Sequence, residues 1–430
     1  MYNVGFGDCF MVTIPTADRR LRILFDCGSI ARDPEVEMED VLQQLWADAT
    51  DPSEDQPRID VVVGTHRHRD HVSGFAKPGW DDVVVGEVWM PWTEHPTNVE
   101  AKRIRETQSR LAASLHSSLQ ASLGAAANDI EREGIKSLVH LAANALSNAQ
   151  AMSMLHEGFA GSPKRRFLPE DGAAMQLDCP VLPGVTVYVL APSRSKDVIR
   201  DMDPPVGQSY LRLAGALDNS EETPHPFAPG WRIDLETWTD ATQGIASVAP
   251  DSPVARILGQ RTGHIPRPNP PQLSEADRKA LLTVGEMNQA VAVSLDKAVN
   301  GTSLMILLRI GQAYLLFPGD AQWGSWQAVL RDDDLRRLLQ KVTFYKVGHH
   351  GSHNSTPIEF VEKVVPADSA IPAMVSTRPV ANWPEIPRLP LLEALTNRGC
   401  EWIRSDLIAD TTSGRFKASG KTYVDVEVPV

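Results

Sequence analysis

A short β-branched run that ends in a polar cluster constrains this chain more than any other feature. Ile59-Asp60-Val61-Val62-Val63-Gly64 leads directly into Thr65-His66-Arg67-His68-Arg69-Asp70-His71-Val72-Ser73-Gly74. The run is short, apolar and β-branched, which predicts a buried strand. Other polar groups sit the same way. Asp26 follows the apolar stretch 21–25, Asp320 follows 313–317, and His349-His350 follows 342–347. Strand ends are where α/β folds gather functional side chains at one rim of a sheet.

The remaining chain carries the same grammar. Cys9 to Ile14 and Leu21 to Phe25 flank a polar turn and predict a hairpin. Residues 35–48 have a helical apolar rhythm, and strands are expected at 83–90, 185–192 and 291–295. Stretches 303–310 and 313–317 predict a second hairpin across Gly311-Gln312. A helix over 326–340, a strand over 342–347, a strand over 370–376, a helix over 389–397 and strands at 402–404 and 421–428 complete the pattern. Strands alternating with helices indicate an α/β fold, read as one domain over 1–430. Two stretches stand apart as insertions. Residues 98–160 are rich in Ala, Leu, Ser, Glu and Gln and predict two or three helices; residues 200–285 are polar, with Pro and Gly concentrated at 251–272 and a capped helix start at Ser274.

Imidazole and carboxylate are the ligands of divalent metals such as zinc. Three histidines and an aspartate at H-x-H-x-D-H spacing after a buried strand predict a metal site, because without a cation such clustering carries desolvation and repulsion costs.

These residues carry a resemblance. H-x-H-x-D-H after a buried strand, Asp26-x-Gly28 upstream, Pro318-Gly319-Asp320 downstream and a final His resemble the metallo-β-lactamase fold hydrolases. Val4-Gly5-x-Gly7-Asp8, Asn300-x-x-Ser303-Leu304, Phe317-Pro318-Gly319-Asp320 and Lys346-Val347-Gly348-His349-His350-Gly351-Ser352 look like one branch, the soluble hydrolase domain of competence-type DNA-uptake proteins. By motif order the likeness covers about residues 1–95, 185–195 and 286–410, and leaves both insertions unexplained.

The resemblance implies an αββα sandwich of two mixed sheets with helices outside. It implies two divalent metal ions, zinc being the expected one, with manganese also compatible with the ligands. His66 and His68 would hold the first ion. Asp70 and His71 would hold the second, and Asp320 would bridge. One of His349 and His350 would complete the second site; His349, next to Gly348, is the expected choice. Asp26 stands where the family keeps a carboxylate that orients a ligand His, and Asp8 would support the same corner. Asn300, Ser303 and Ser352 are expected beside the ligands. His350, His353 or Ser352 would bind a phosphate oxygen or protonate a leaving group, with Asp70 and Asp320 holding a metal-activated hydroxide. His353 as a plain loop residue and Ser352 near a helix cap are the structural alternatives.

Two departures stand out. Many members place a further His on the first metal, and none of His95, His116, His140, His156, His225 and His264 follows a matching strand. Where the branch often carries Gly-His-Pro, this chain reads Ala381-Asn382-Trp383-Pro384.

Composition limits the function. The net charge of −13 argues against tight, static nucleic-acid binding but not against a nuclease, whose bound dications add positive charge where a phosphate sits. No stretch approaches the length of a membrane span, the N-terminus has no signal-peptide pattern, and the four cysteines form no C-x-x-C pair. A cytoplasmic location without membrane association is therefore expected. The leading expectation is a phosphodiesterase or nuclease acting on a nucleic acid or nucleotide. The alternatives are a hydrolase of a small ester, lactone, thioester or phosphocholine-type substrate, and an interaction protein whose insertions bind a protein partner and whose metal site is secondary.

Overall fold

The computed structural model describes residues 1–125, 129–146, 148–205, 207–210, 292–368, 370–380, 383–410 and 414–430. The chain divides into two compact units, Met1–Ala216 with Ser294–Val430, and Leu217–Val293. Almost all of the second unit, with the expected Ser274 helix start and the Pro-rich stretch, lies outside the described residues.

Two mixed sheets organise the first unit. One has the spatial order β1 (Phe10–Pro15), β2 (Arg20–Phe25), β3 (Arg58–Val63), β4 (Val84–Pro91), β5 (Lys164–Leu168). β1 and β2 form the expected antiparallel hairpin, and β2 to β5 run parallel. In chain order, the second sheet is built from β6 (Met175–Leu177), β7 (Val185–Ala191), β8 (Met305–Ile310), β9 (Ala313–Phe317), β10 (Phe344–Lys346), β11 (Pro372–Val375) and β12 (Glu401–Arg404). Its spatial order is β12-β11-β10-β9-β8-β7-β6, with β9 to β12 parallel and the rest antiparallel. A small ribbon, β13 (Phe416–Ser419) and β14 (Tyr423–Val426), closes the chain.

Strand periodicity explains how these sheets bury both faces. Ile23, Val61 and Val63 of the first sheet share one core with Val189, Ile306, Leu308 and Phe317 of the second. Phe25 stacks on Phe317 across it, ring centroids 4.0 Å apart. The intervening residues face the other way. Leu24 and Val62 pack with Val41, Leu42 and Leu45 of helix α1 (Met38–Asp48). Leu307, Leu316 and Tyr345 pack with Trp326, Phe360 and Leu391 from the helical segments after β9, β10 and β11.

The structure corrects several local expectations. Residues 292–300 are helical, not a strand. Their alternation of Val, Ala, Ser and Leu suggested β, yet Ala292, Leu295 and Val299 are the buried apolar positions, a helical spacing. The helix expected over 326–340 is two, Trp323–Arg331 and Asp333–Leu339, because Asp332 turns out of helix and its carboxylate caps the second by accepting from the Asp334 and Leu335 amides. Strands β5, β6 and β13 have no counterpart in the sequence reading. The 98–160 insertion holds the expected helices, principally α2 (Val99–Ala125) and α3 (Asp129–Asn144). All four cysteines are buried and free. No helix among the described residues is long and apolar enough to cross a membrane.

Candidate metal centre

The parallel strands deliver their C-terminal ends to one place. β2 ends at Asp26, β3 leads into His66-x-His68-x-Asp70-His71, β9 leads to Asp320, β10 to His349-His350, and β11 to Ser376. A one-turn helix, Arg69–Val72, starts just after His68 and carries Asp70 and His71. The loops interlock through their backbones: the Asp8 amide donates to the Asp70 carbonyl at 2.9 Å, and the Cys27 amide to the His71 carbonyl at 2.8 Å. Gly28 is required by this crossing, since a Cβ there would lie 2.6 Å from the Arg69 carbonyl oxygen. Three site residues hold left-handed backbones without being glycine: Asp26 at φ 55°, His349 at 45° and His350 at 54°. Each such conformation costs on the order of 1–3 kcal/mol and persists only where its surroundings enforce it.

Among the described residues, Asp70, His71, Asp320 and His350 bring four ligand atoms within 4.8 Å of one another, all buried, in an arrangement that can hold a metal ion. The histidine doublet therefore departs from the expected choice: His350, not His349, joins this group. Consecutive left-handed residues turn the two rings to different neighbours. His350 Nε2 lies 3.2 Å from Asp70 Oδ2, while His349 Nε2 lies 3.8 Å from Asp320 Oδ2. His66 Nε2 stands 3.1 Å from His68 Nδ1 and 3.8 Å from Asp320 Oδ2. Asp320 is thus beside both the H-x-H pair and the Asp70–His71 pair.

Hydrogen-bond partners assign the proton on most of these rings. His350 Nδ1 is 2.8 Å from the Ser376 carbonyl, which can only accept, so Nδ1 donates. His71 Nδ1 donates to Asp26 Oδ2 at 2.7 Å. Thr65 Oγ1 donates to Asp26 Oδ2 at 2.7 Å, so it accepts from His66 Nδ1 at 3.2 Å. Asn354 Nδ2 donates to Gln322 at 2.8 Å, which leaves its Oδ1 to accept from His349 Nδ1 at 3.1 Å. In the neutral rings every opposite nitrogen is then a lone pair turned inward. His71 Nε2 faces Asp320 Oδ2 at 3.1 Å, and His350 Nε2 faces Asp70 Oδ2 at 3.2 Å. Two acceptors at that distance need positive charge between them, a shared proton or a cation.

Asp70 Oδ1 and Asp320 Oδ1 are also buried with no hydrogen-bond partner among the described residues. Buried carboxylate oxygens are rarely left so, and a bound cation accounts for them. The donor set of imidazoles and carboxylates fits a divalent metal.

The electrostatics follow the same geometry. Burial works to lower the His71 imidazole, but Asp320, Asp26, Asp70 and Asp8 together outweigh it and hold it well above its usual value. Burial would raise Asp320, yet His71 and His349 pull its carboxyl well below the usual range. His66, beside His71 and His68 and desolvated, is pushed down.

The second carboxylate group, Asp8, Asp26 and His71, has a different logic. Asp26 is committed to Thr65, through its amide and its hydroxyl, and to His71. Asp8 pairs with the buried Lys346 ammonium, so Lys346 neutralises this corner. Asp26 thereby holds the His71 ring, and Asp8 Oδ2 stands 3.7 Å from the same Nδ1.

The other expected residues divide. Asn300 Nδ2 is 3.5 Å from His349 Nε2. Ser303 is fully buried, its hydroxyl without a hydrogen-bond partner among the described residues. The Ser352 amide donates to the His349 carbonyl at 2.8 Å. His353 joins neither ligand group; its carbonyl accepts from Ser209 Oγ at 2.9 Å, and burial lowers its ring to about 4. His350 has both nitrogens engaged and none left to serve a leaving group. His95 and His156 pack on Phe167 instead of the ligand groups.

No family model matches this chain, and no curated protein matches it.

Several site residues gave no sequence signal. Thr65, Asn354 and Ser376 act through partners brought together by the fold. Asp296 places Oδ1 3.7 Å from His68 Nε2. Burial, then the charges of Asp70 and Asp320, push its carboxyl up to about 8. The helical insertion also reaches the metal loop: Asn144 Oδ1 accepts from the Arg69 amide at 2.8 Å and the Asp70 amide at 3.4 Å, and Asn148 Nδ2 donates to the Arg67 carbonyl at 2.7 Å. Asn144 thus caps the one-turn helix from outside. Asn144→Ala leaves those amides unsatisfied and should cost about 1–2 kcal/mol, the scale of a lost cap. Urea unfolding measures this, and an unchanged midpoint would deny the insertion a role in holding the loop.

Proposed function

We propose that this chain is a dinuclear metal-dependent hydrolase of phosphodiesters, built as an αββα sandwich of the metallo-β-lactamase kind. The observation that carries the metal assignment is the convergence of inward lone pairs from buried imidazoles on Asp70 and Asp320. The layering is supported by one face of each sheet sharing a core while the opposite faces meet helices. The phosphodiester is supported by the motif resemblance to the competence-type branch.

His66 and His68 would hold one ion; Asp70, His71 and His350 the other; Asp320 stands between. When bound, such cations supply Lewis-acid charge, which makes water nucleophilic at neutral pH and offsets charge developing on phosphate oxygens. The chain's own residues set the rest. Asp26, Thr65, Ser376 and Asn354 fix which nitrogen of His71, His66, His350 and His349 points inward. Lys346 balances the surplus of carboxylates. His349, whose side chain keeps 16% exposure while the other ligand-side histidines are closed off, marks the side open to substrate.

The test is hydrolysis of bis-p-nitrophenyl phosphate and of linear single- and double-stranded DNA with zinc or manganese, using Asp70→Ala/His71→Ala as control. Metal-dependent turnover that vanishes in the control is expected. Absence of turnover by protein carrying two ions would remove the phosphodiesterase assignment.

A further inference from the structure

Four of the five imidazoles at the centre have an identified acceptor on the nitrogen that faces away from it. They are Asp26 for His71, the Ser376 carbonyl for His350, Thr65 Oγ1 for His66 and Asn354 Oδ1 for His349. The fifth, His68, has its outward Nε2 buried with no hydrogen-bond partner among the described residues. The carboxylate that faces it is Asp296, Oδ1 at 3.7 Å. That is an ion-pair distance, longer than a hydrogen bond.

Asp296 is not a loose surface group. It lies on the helix over 292–300, and Asn300, one turn later on the same face, donates Nδ2 to Asp296 Oδ2 at 3.3 Å. Asn144, the residue that caps the Arg69–Val72 turn, also lies beside the Asp296 carboxylate. Asn300 holds one carboxylate oxygen while Oδ1 is turned to His68.

We infer that Asp296 is a positioning residue for the first metal ion. Its Oδ1 stands opposite Nε2 of His68 at ion-pair distance, which favours the tautomer protonated there and directs Nδ1 to the side of His66 Nε2. A carboxylate in this role also raises the basicity of the imidazole. The H-x-H pair, for which the sequence offers no third histidine, gains its rigidity and charge from this helix. The inference rests on the metal assignment above, and adds to it a residue outside the recognised motifs.

The experiment uses the full chain, stripped with chelator and titrated calorimetrically with zinc alone, then with cobalt followed by visible absorption. Wild-type protein is expected to take two ions. Asp296→Ala should weaken one of them by about 10–100-fold, the usual cost of losing such a partner, and leave the other unchanged. Asp296→Asn, which keeps an acceptor oxygen but no charge, should fall between. In a His68→Ala background, Asp296→Ala should add nothing. Wild-type affinity for both ions in Asp296→Ala overturns the inference, as does a further loss in the His68→Ala background. If circular dichroism shows Asp296→Ala unfolded, Asp296→Asn decides: unchanged affinities overturn, a selective loss supports. A wild-type chain that binds no zinc or cobalt would instead sink the metal assignment itself, a distinguishable result.

Discussion

Chelation of divalent ions should lower the melting temperature of this protein by roughly 5–10 °C. The reasoning starts from the lone pairs. His71 Nε2 and Asp320 Oδ2 meet at 3.1 Å, His350 Nε2 and Asp70 Oδ2 at 3.2 Å, and Asp70 Oδ1 and Asp320 Oδ1 lack hydrogen-bond partners among the described residues. A cation that binds only the folded chain stabilises it by RT ln(1 + [L]/Kd), about 2.7 kcal/mol at a hundredfold excess over Kd. Two ions at that level contribute about 5 kcal/mol. For a unit of this size one kcal/mol moves the midpoint by roughly 1–2 °C. Thermal scans of chelated, zinc-loaded and manganese-loaded protein measure the shift. The Asp70→Ala/His71→Ala variant should lose most of it. Protons compete for the same lone pairs, so the metal-dependent shift should shrink as pH falls. Identical scans with and without chelator, at matched pH, would show that protons rather than metals resolve the acceptor contacts.

Much of this centre was legible because its chemistry is local. H-x-H-x-D-H lies within six residues after a strand whose β-branched run is unambiguous, and both Asp26 and Asp320 closely follow apolar strands. The doublet was not separable, because adjacent residues diverge only when the backbone goes left-handed, and His349 and His350 carry no residue type that announces it. Thr65 and Ser376 are ordinary residues whose value comes from pairing with Asp26 and a ring nitrogen across the fold. Asp296 was hidden for a different reason. A short apolar stretch at 291–295 fits strand or helix equally, and reading it as a strand that stops at Leu295 leaves Asp296 and Asn300 in the following loop, with no element to bring them together. Asn144 and Asn148 sit in an insertion whose Ala- and Leu-rich composition reads as packing, yet they hold the backbone of the metal loop.

The largest functional loss should come from Asp320. Its Oδ2 is 3.1 Å from His71 Nε2 and 3.8 Å from both His66 Nε2 and His349 Nε2, so on the proposed two-ion assignment one carboxylate would serve the ligands of both ions. Asp320→Asn keeps the volume but removes the charge and places an amide where two acceptor oxygens stood. It should reduce bound zinc from two ions to one or none and cut turnover of bis-p-nitrophenyl phosphate by at least about a hundredfold, the scale of losing one charge-stabilising group. Metal analysis of gel-filtered protein and initial rates at saturating metal report the two effects separately. The doublet provides the contrast. His350→Ala removes a nitrogen from the Asp70–His71–Asp320 group and should lose the ion held there. His349→Ala, whose ring is held by Asn354 and lies nearer the solvent side, should keep that ion and weaken substrate binding or the H-x-H ion instead. Equal loss in both variants would mean that the two imidazoles share one ion, and retention of two ions in Asp320→Asn would mean that the pairs on either side of it bind independently.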